Sequence, residues 1–242
     1  MTDPEPRLTL WPSGYEPEGL TLPVAQVEKA LEDYFASGWV AQGPDYYVAA
    51  LQRIGREPDQ LQFGDLAWAV LLAGGPRPAA AQSFLHATPI DLTSIPTGIA
   101  LQDPNASSPL QAVVDAIRTL RGLDHIKIAI AVKLLHPARP ELVPVMDRSS
   151  FFGAYFHQRW RFGQNPMSRD PDDPELLEGL KAVRRVVADD VNAAAWQKLD
   201  GWTSSKRQGP FTRVQLFDAL WWVLHRDPQR VGFDHSAMRN RH

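Results

Sequence analysis

Residues 110–151, LQAVVDAIRTLRGLDHIKIAIAVKLLHPARPELVPVMDRSSF, are the part of this chain best equipped to do chemistry. Val113, Val114, Ile117 and Leu120 recur at helical spacing, and a second apolar helix is expected from Ile126 to Leu135. Between them, Arg121-Gly122-Leu123-Asp124-His125 reads as a tight turn. A glycine turn that leads straight into a helix can aim backbone N–H groups at one phosphate. Pro137, Pro140 and Pro144-Val145 make the next stretch extended, and Asp147 follows at the start of a third helix bearing Phe151, Phe152, Tyr155 and Phe156. A carboxylate there can face a groove beside that phosphate. It is equally a good helix N-cap, a role worth about 1 kcal/mol that involves no chemistry.

From Lys127 onward, the string KIAIAVKLLHPARPELVPV resembles the helix–hairpin–helix DNA glycosylases in its spacing. That family has a lysine and alanine on the second hairpin helix, an apolar run, a basic-Pro pair, and Pro-Val before a catalytic aspartate. The resemblance covers about 40 residues. It implies that Asp147 is the carboxylate promoting loss of a damaged base, and that Lys127, 20 positions earlier, is the Schiff-base lysine of the bifunctional members. It makes Gly122 the first hairpin glycine, with Arg121, Leu123, His125 and Arg148 on the nucleic-acid face. An extruded base would need an aromatic pocket, for which Tyr155, Trp160, Trp221 and Trp222 are the candidates. The chain departs from the pattern in the turn, where Asp124 stands near the second glycine's place, and at Met146, one residue more before the aspartate. A second resemblance pairs KLLHPARPELVPVMDRSS with TRVQLFDALWWVLHRD near the C-terminus. Together they look like an uncharacterised bacterial family known only as a domain of unknown function, and their pairing implies that the two stretches pack together.

Each of these residues also has a purely structural reading. Lys127 and Lys133 fit surface lysines whose stems lie on an apolar helix. Trp221 and Trp222 are adjacent, so one belongs to the core with Leu216, Phe217, Leu220 and Val223, and the other faces outward.

Other chemistries lack their parts. There are no cysteines, which removes thiolate metal sites and a cysteine nucleophile. The seven histidines are scattered with no ligand spacing, and no metal or cofactor is expected. No phosphate-binding G-x-x-x-x-G-K-[ST] loop, dinucleotide fingerprint or G-x-S-x-G elbow occurs.

The elements that must hold the segment are helices. Val24, Val27, Leu31 and Phe35 follow Pro23 at helical spacing; Pro44–Gly55 and 64–73 read as further helices, and Pro78 opens a short one through Leu85. Residues 88–107, dense in proline, read as a long connection. Ser108-Pro109-Leu110-Gln111 has the shape of a capping box. After a loop at 163–174, a long helix is expected from Pro174 to about Leu199 and a last one from Thr212 to His225. The expected fold is all-α, a single domain over 1–242. Two lobes are conceivable within it: 1–87 with the C-terminal helices, and a central helix–hairpin–helix unit at 108–162.

With 242 residues and 44% hydrophobic content, the chain can bury a real core. Its net charge of -3 is uneven: residues 1–117 carry -9, residues 118–169 carry +6, and 170–242 balance. A basic middle suits a polyanion such as duplex DNA bearing a modified base, or else its charges meet acidic partners within the chain. No apolar run reaches the roughly 20 residues of a membrane span, and the acidic, proline-rich start is unlike a signal peptide. A cytoplasmic protein with no membrane partner is expected. Two functions outside the glycosylase reading fit as well: a non-catalytic helical scaffold for nucleic acid or protein, and an enzyme on a small nucleoside-like substrate.

Overall fold

The computed structural model describes residues 4–10, 20–36, 59–66, 78–156, 169–206 and 210–226. The fold is mostly helical, as the periodicity predicts. The helix expected over 44–55 lies outside the described residues, as does most of that expected over 64–73.

Two small antiparallel pairs were not anticipated. β1 (Arg7–Thr9) pairs with β2 (Thr21–Pro23), placing the buried Leu8 opposite the buried Leu22. β3 (Gln60–Leu61) pairs with β4 (Ile90–Asp91), so the proline-rich connection contains a strand after all. Two or three residues are too few to display a period of two, and pairing is settled by a distant partner.

Pro23 leads into α1 (Val24–Ala36), whose Val24, Val27, Leu31 and Tyr34 are buried. α2 (Pro78–Ala87) follows the undescribed stretch. α3 (Leu110–Arg121) buries the whole stripe Val113, Val114, Ile117 and Leu120. Its start differs from expectation: Ser108 closes a 3₁₀ turn over Pro104–Ser107, Pro109 caps without a side chain, and Gln111 Nε2 donates to Asp115 Oδ1 at 3.2 Å. Proline at the cap leaves no room for the reciprocal box. A capping box does form at α5 (Asp173–Ala188), where Asp172 Oδ1 accepts the Glu175 N–H and Glu175 Oε2 accepts the Asp172 N–H, both at 3.0 Å.

The long C-terminal helix is broken. α5 ends at Ala188 and α6 (Ala193–Ser204) begins after a 3₁₀ turn. Asp189 Oδ1 accepts the Val191 N–H at 3.0 Å, and the buried Asn192 donates through Nδ2 to Val186 O and Thr9 O. Asn192 Oδ1 also accepts the Thr9 N–H at 2.7 Å, closing a two-way link to β1. Side chains that bond nearby backbone compete with the helix ladder, and here they win.

α7 (Arg213–Arg226) packs against both α1 and α5, while α5 packs against α3 and α3 against α4 (Ile128–Leu135). The buried apolar side chains form one continuous cluster. Between α4 and α5 lies a π-helical segment, Arg148–Phe156. α5 passes close beneath it at Gly179, where an added Cβ would lie 3.0 Å from the Phe152 ring and 3.1 Å from that of Phe151. No helix among the described residues is long and apolar enough to cross a membrane.

Candidate functional site

Asp147 ends the extended stretch and begins the π-helical segment. Its Oδ1 accepts the N–H groups of Ser149 and Ser150 at 2.7 and 2.6 Å, and its Oδ2 accepts the Ser150 hydroxyl. The Phe152 N–H reaches back to the Asp147 carbonyl at 3.1 Å, the five-residue step of a π-turn, which is often found at functional sites. Asp147 is partly exposed. A carboxylate offers about four lone-pair sites, so three donors leave Oδ2 able to accept one more, such as a water.

The lysine in the field of Asp147 is Lys133, on α4. Burial of its stem lowers its pKa, and attraction to Asp147 partly offsets that. Lys127 is exposed, at the N-cap of α4 with extended backbone.

Helix α7 grips the stretch that bears Asp147 at three points. Thr212, just before the helix, donates from Oγ1 to Pro140 O at 3.0 Å. Asp218 Oδ2 accepts the Val145 N–H at 2.9 Å, and Trp221 Nε1 donates to Ser150 O at 2.8 Å. His136, fully buried at the end of α4, bonds from Nδ1 to Val143 O at 2.6 Å, with Asp218 Oδ2 at 3.9 Å. Burial holds the imidazole down, at about 4, so it is neutral, and its Nδ1 carries the proton given to Val143. Burial, reinforced by repulsion from Asp147, pushes the Asp218 carboxyl well up despite the Val145 hydrogen bond. The two stretches paired in the sequence analysis are therefore in contact along their length.

The turn is arranged differently from a two-glycine hairpin. Gly122 caps α3 in the right-handed helical region (φ −69°), and the residue with positive φ is His125, at 64°. Gly122 and His125 are exposed and Leu123 is partly buried. The groups that would meet a phosphate are engaged internally: Asp170 Oδ2 accepts the Ile128 N–H at 3.3 Å, Ser83 Oγ accepts the Asp124 N–H at 3.0 Å, and Arg121 Nη1 donates to Pro171 O at 2.8 Å. Arg148 is partly exposed at the first π-helical position.

Three of the nine basic residues of 118–169, Arg118, Arg139 and Arg169, pair with acidic groups within the chain. Arg118 pairs with Asp115 and with Asp173 at 3.5 Å, and Arg169 with Glu175 at 2.8 Å. Arg139, the basic member of the basic-Pro pair, is 3% exposed and structural. Its guanidinium donates to Ile95 O at 2.6 Å, Leu92 O at 3.2 Å and Asp59 Oδ1 at 3.0 Å.

The described aromatic candidates do not line one hollow. Tyr155 and Trp221 touch edge to face with centroids 4.9 Å apart, and each is 3% exposed. Tyr155 donates its hydroxyl to Leu10 O at 3.0 Å, as Trp221 donates to Ser150 O. Both are core side chains with satisfied polar tips, so neither ring presents a face to a flipped base in this conformation. Trp222 is partly exposed on the α1 side, against Tyr34 at 5.6 Å. Trp160 lies outside the described residues.

Lys133, Asp218 and Ser150 thus interact with Asp147, and His136 lies behind Asp218, without having been singled out as site residues. One signal could have found Asp218: it is an acid amid Leu216, Phe217, Ala219 and Leu220 on a helix that buries nearly everything around it.

No curated protein and no solved structure matches this chain. A family described as "Family of unknown function (DUF6308)" matches residues 27–225, which span the hairpin, Asp147 and all but the last residue of α7. The chain belongs to that family.

Proposed function

We propose that this protein hydrolyses the N-glycosidic bond of a modified base, with Asp147 as the carboxylate. The observation that carries the reading is the Asp147 carboxylate itself: partly exposed, aimed by three donors of its own helix start, and set in the field of Lys133. The resemblance of KIAIAVKLLHPARPELVPV to the glycosylase pattern supports it, although Met146 sets Asp147 one residue further on. As the bond to the base breaks, positive charge develops at the anomeric carbon. A fixed negative carboxylate stabilises that charge most effectively where water is partly excluded. The remaining lone pair of Oδ2 can orient the attacking water and take its proton.

A second reading keeps this chemistry and changes the substrate to a small nucleoside. The Asp170 carboxylate at the Ile128 amide favours it, because an acid at that position repels a phosphate. One experiment tests both readings. Short duplexes carrying uracil, hypoxanthine or an N-methylated purine, and the nucleosides inosine and deoxyuridine, are incubated with wild type and Asp147→Asn. Base release from duplex that vanishes in the variant supports the first reading, and release confined to nucleosides supports the second. Equal release by both proteins sinks each of them.

A further inference from the structure

Asp218 and Trp221 stand one turn apart on α7 and hold the chain on either side of Asp147. Asp218 takes the N–H of Val145, two residues before it, and Trp221 gives its N–H to the carbonyl of Ser150, three residues after. These are long-range contacts, spanning 73 and 71 residues of sequence. A helix N-cap needs only the amides of its own first turn, and Asp147 has those already. The α7 contacts add nothing to the cap; they constrain where the whole turn sits. His136 adds a third restraint at Val143 O.

We propose that Asp218 and Trp221 are positioning residues for Asp147, clamping the turn so that its carboxylate keeps one direction. The proposal rests on the reading of Asp147 as the acting carboxylate. Catalytic groups must be held to a fraction of an ångström, and residues behind the reacting group commonly do this. Asp218 suits the task because it is 6% exposed at its side chain and buried beside Asp147. It accepts from Val145 whether or not it carries a proton, as an asparagine carbonyl would.

The test uses the full chain with Asp218→Asn, Asp218→Leu and Trp221→Phe, the last a mild change should the leucine variant not fold. Base release is measured from the duplexes and nucleosides named above. Amide hydrogen exchange at Ser149 and Ser150 reports whether Asp147 still accepts from them. Asp218→Leu and Trp221→Phe are expected to lower kcat about tenfold with KM little changed, and to speed exchange at those two amides but not in α3. Asp218→Asn is expected to recover most of the loss, which a general packing defect would not allow. Unchanged kcat and unchanged exchange in Trp221→Phe and Asp218→Leu overturn the proposal. If Asp147→Asn proves as active as wild type, the reading of Asp147 falls separately, and the exchange rates alone decide whether α7 positions the turn.

Discussion

Asp170 places a carboxylate oxygen 3.3 Å from the amide nitrogen of Ile128, so the first N–H of the second hairpin helix is answered from within the chain. A duplex phosphate would have to displace this acid. Weak duplex binding with a shallow salt dependence is therefore expected of the wild type, and Asp170→Asn should tighten it about threefold at low salt. Fluorescence anisotropy across a salt series checks this. A steep slope in the wild type would mean that the hairpin grips several phosphates despite the acid.

Asp147 combines a capping role with the proposed chemistry, and two substitutions separate them. Asparagine keeps an oxygen for the Ser149 and Ser150 amides, so Asp147→Asn should cost less than about 0.5 kcal/mol in urea denaturation. Base release should nevertheless fall by about a hundredfold or more, because the charge is gone. Asp147→Ala should lose both, with a stability cost of about 1 kcal/mol.

If the proposed reaction includes a lyase step, a lysine–sugar adduct is expected at Lys133. Its stem is largely buried and its basicity reduced, as a nucleophilic amine requires, whereas Lys127 is exposed at the helix cap. Borohydride trapping to a duplex carrying an abasic site should persist in Lys127→Ala and disappear in Lys133→Ala. The reverse pattern would return the role to Lys127.

His136 and Asp218 have opposite effects on stability as pH changes. The His136 pKa falls from its ordinary 6.5 to about 4 on folding, so its contribution is complete above 6.5 and is lost as pH drops toward 4. The Asp218 pKa rises on folding, so its contribution is complete below about 3.8 and is lost as pH climbs through the folded value. Wherever both groups titrate, their slopes oppose each other. Asp218→Asn should expose the His136 slope: stability rising with pH from 4 to 6.5, by on the order of 3 kcal/mol in all. Urea midpoints at several pH values measure it, and a flat profile in the variant would contradict the assignment.

Arg139 is expected to matter for folding and not for any substrate. Replacing it with methionine removes a donor from the buried carbonyls of Ile95 and Leu92, the latter keeping only the Ile95 N–H, and takes the ion-pair partner from Asp59, at a cost of about 3 kcal/mol. Thermal denaturation should show a clear drop in Tm. An unchanged Tm would mean that water or a neighbour replaces the guanidinium.

What could be read from the amino acids alone was local. The stripes of α1, α3 and α7 announce themselves at helical spacing, since each is a pattern within a few turns. Asp147 as the opening residue of its helix was equally legible, because a cap bonds amides only two and three residues away. The break after α5 was hidden, for Asn192 is held partly by Thr9, at the far end of the sequence. The β3–β4 pair was hidden for the same reason.

Around the site the division is sharper. Sequence by itself established a helical chain, a turn near Gly122 and an acid at the head of the third helix. Only the tertiary structure decided that Lys133 shares the field of Asp147, that Asp218 and Trp221 brace it, that Tyr155 and Trp221 are core, and that Asp170 fills the hairpin's amide. Each of those outcomes depends on which distant surface meets which, and helix packing, not local propensity, selects the face that turns inward.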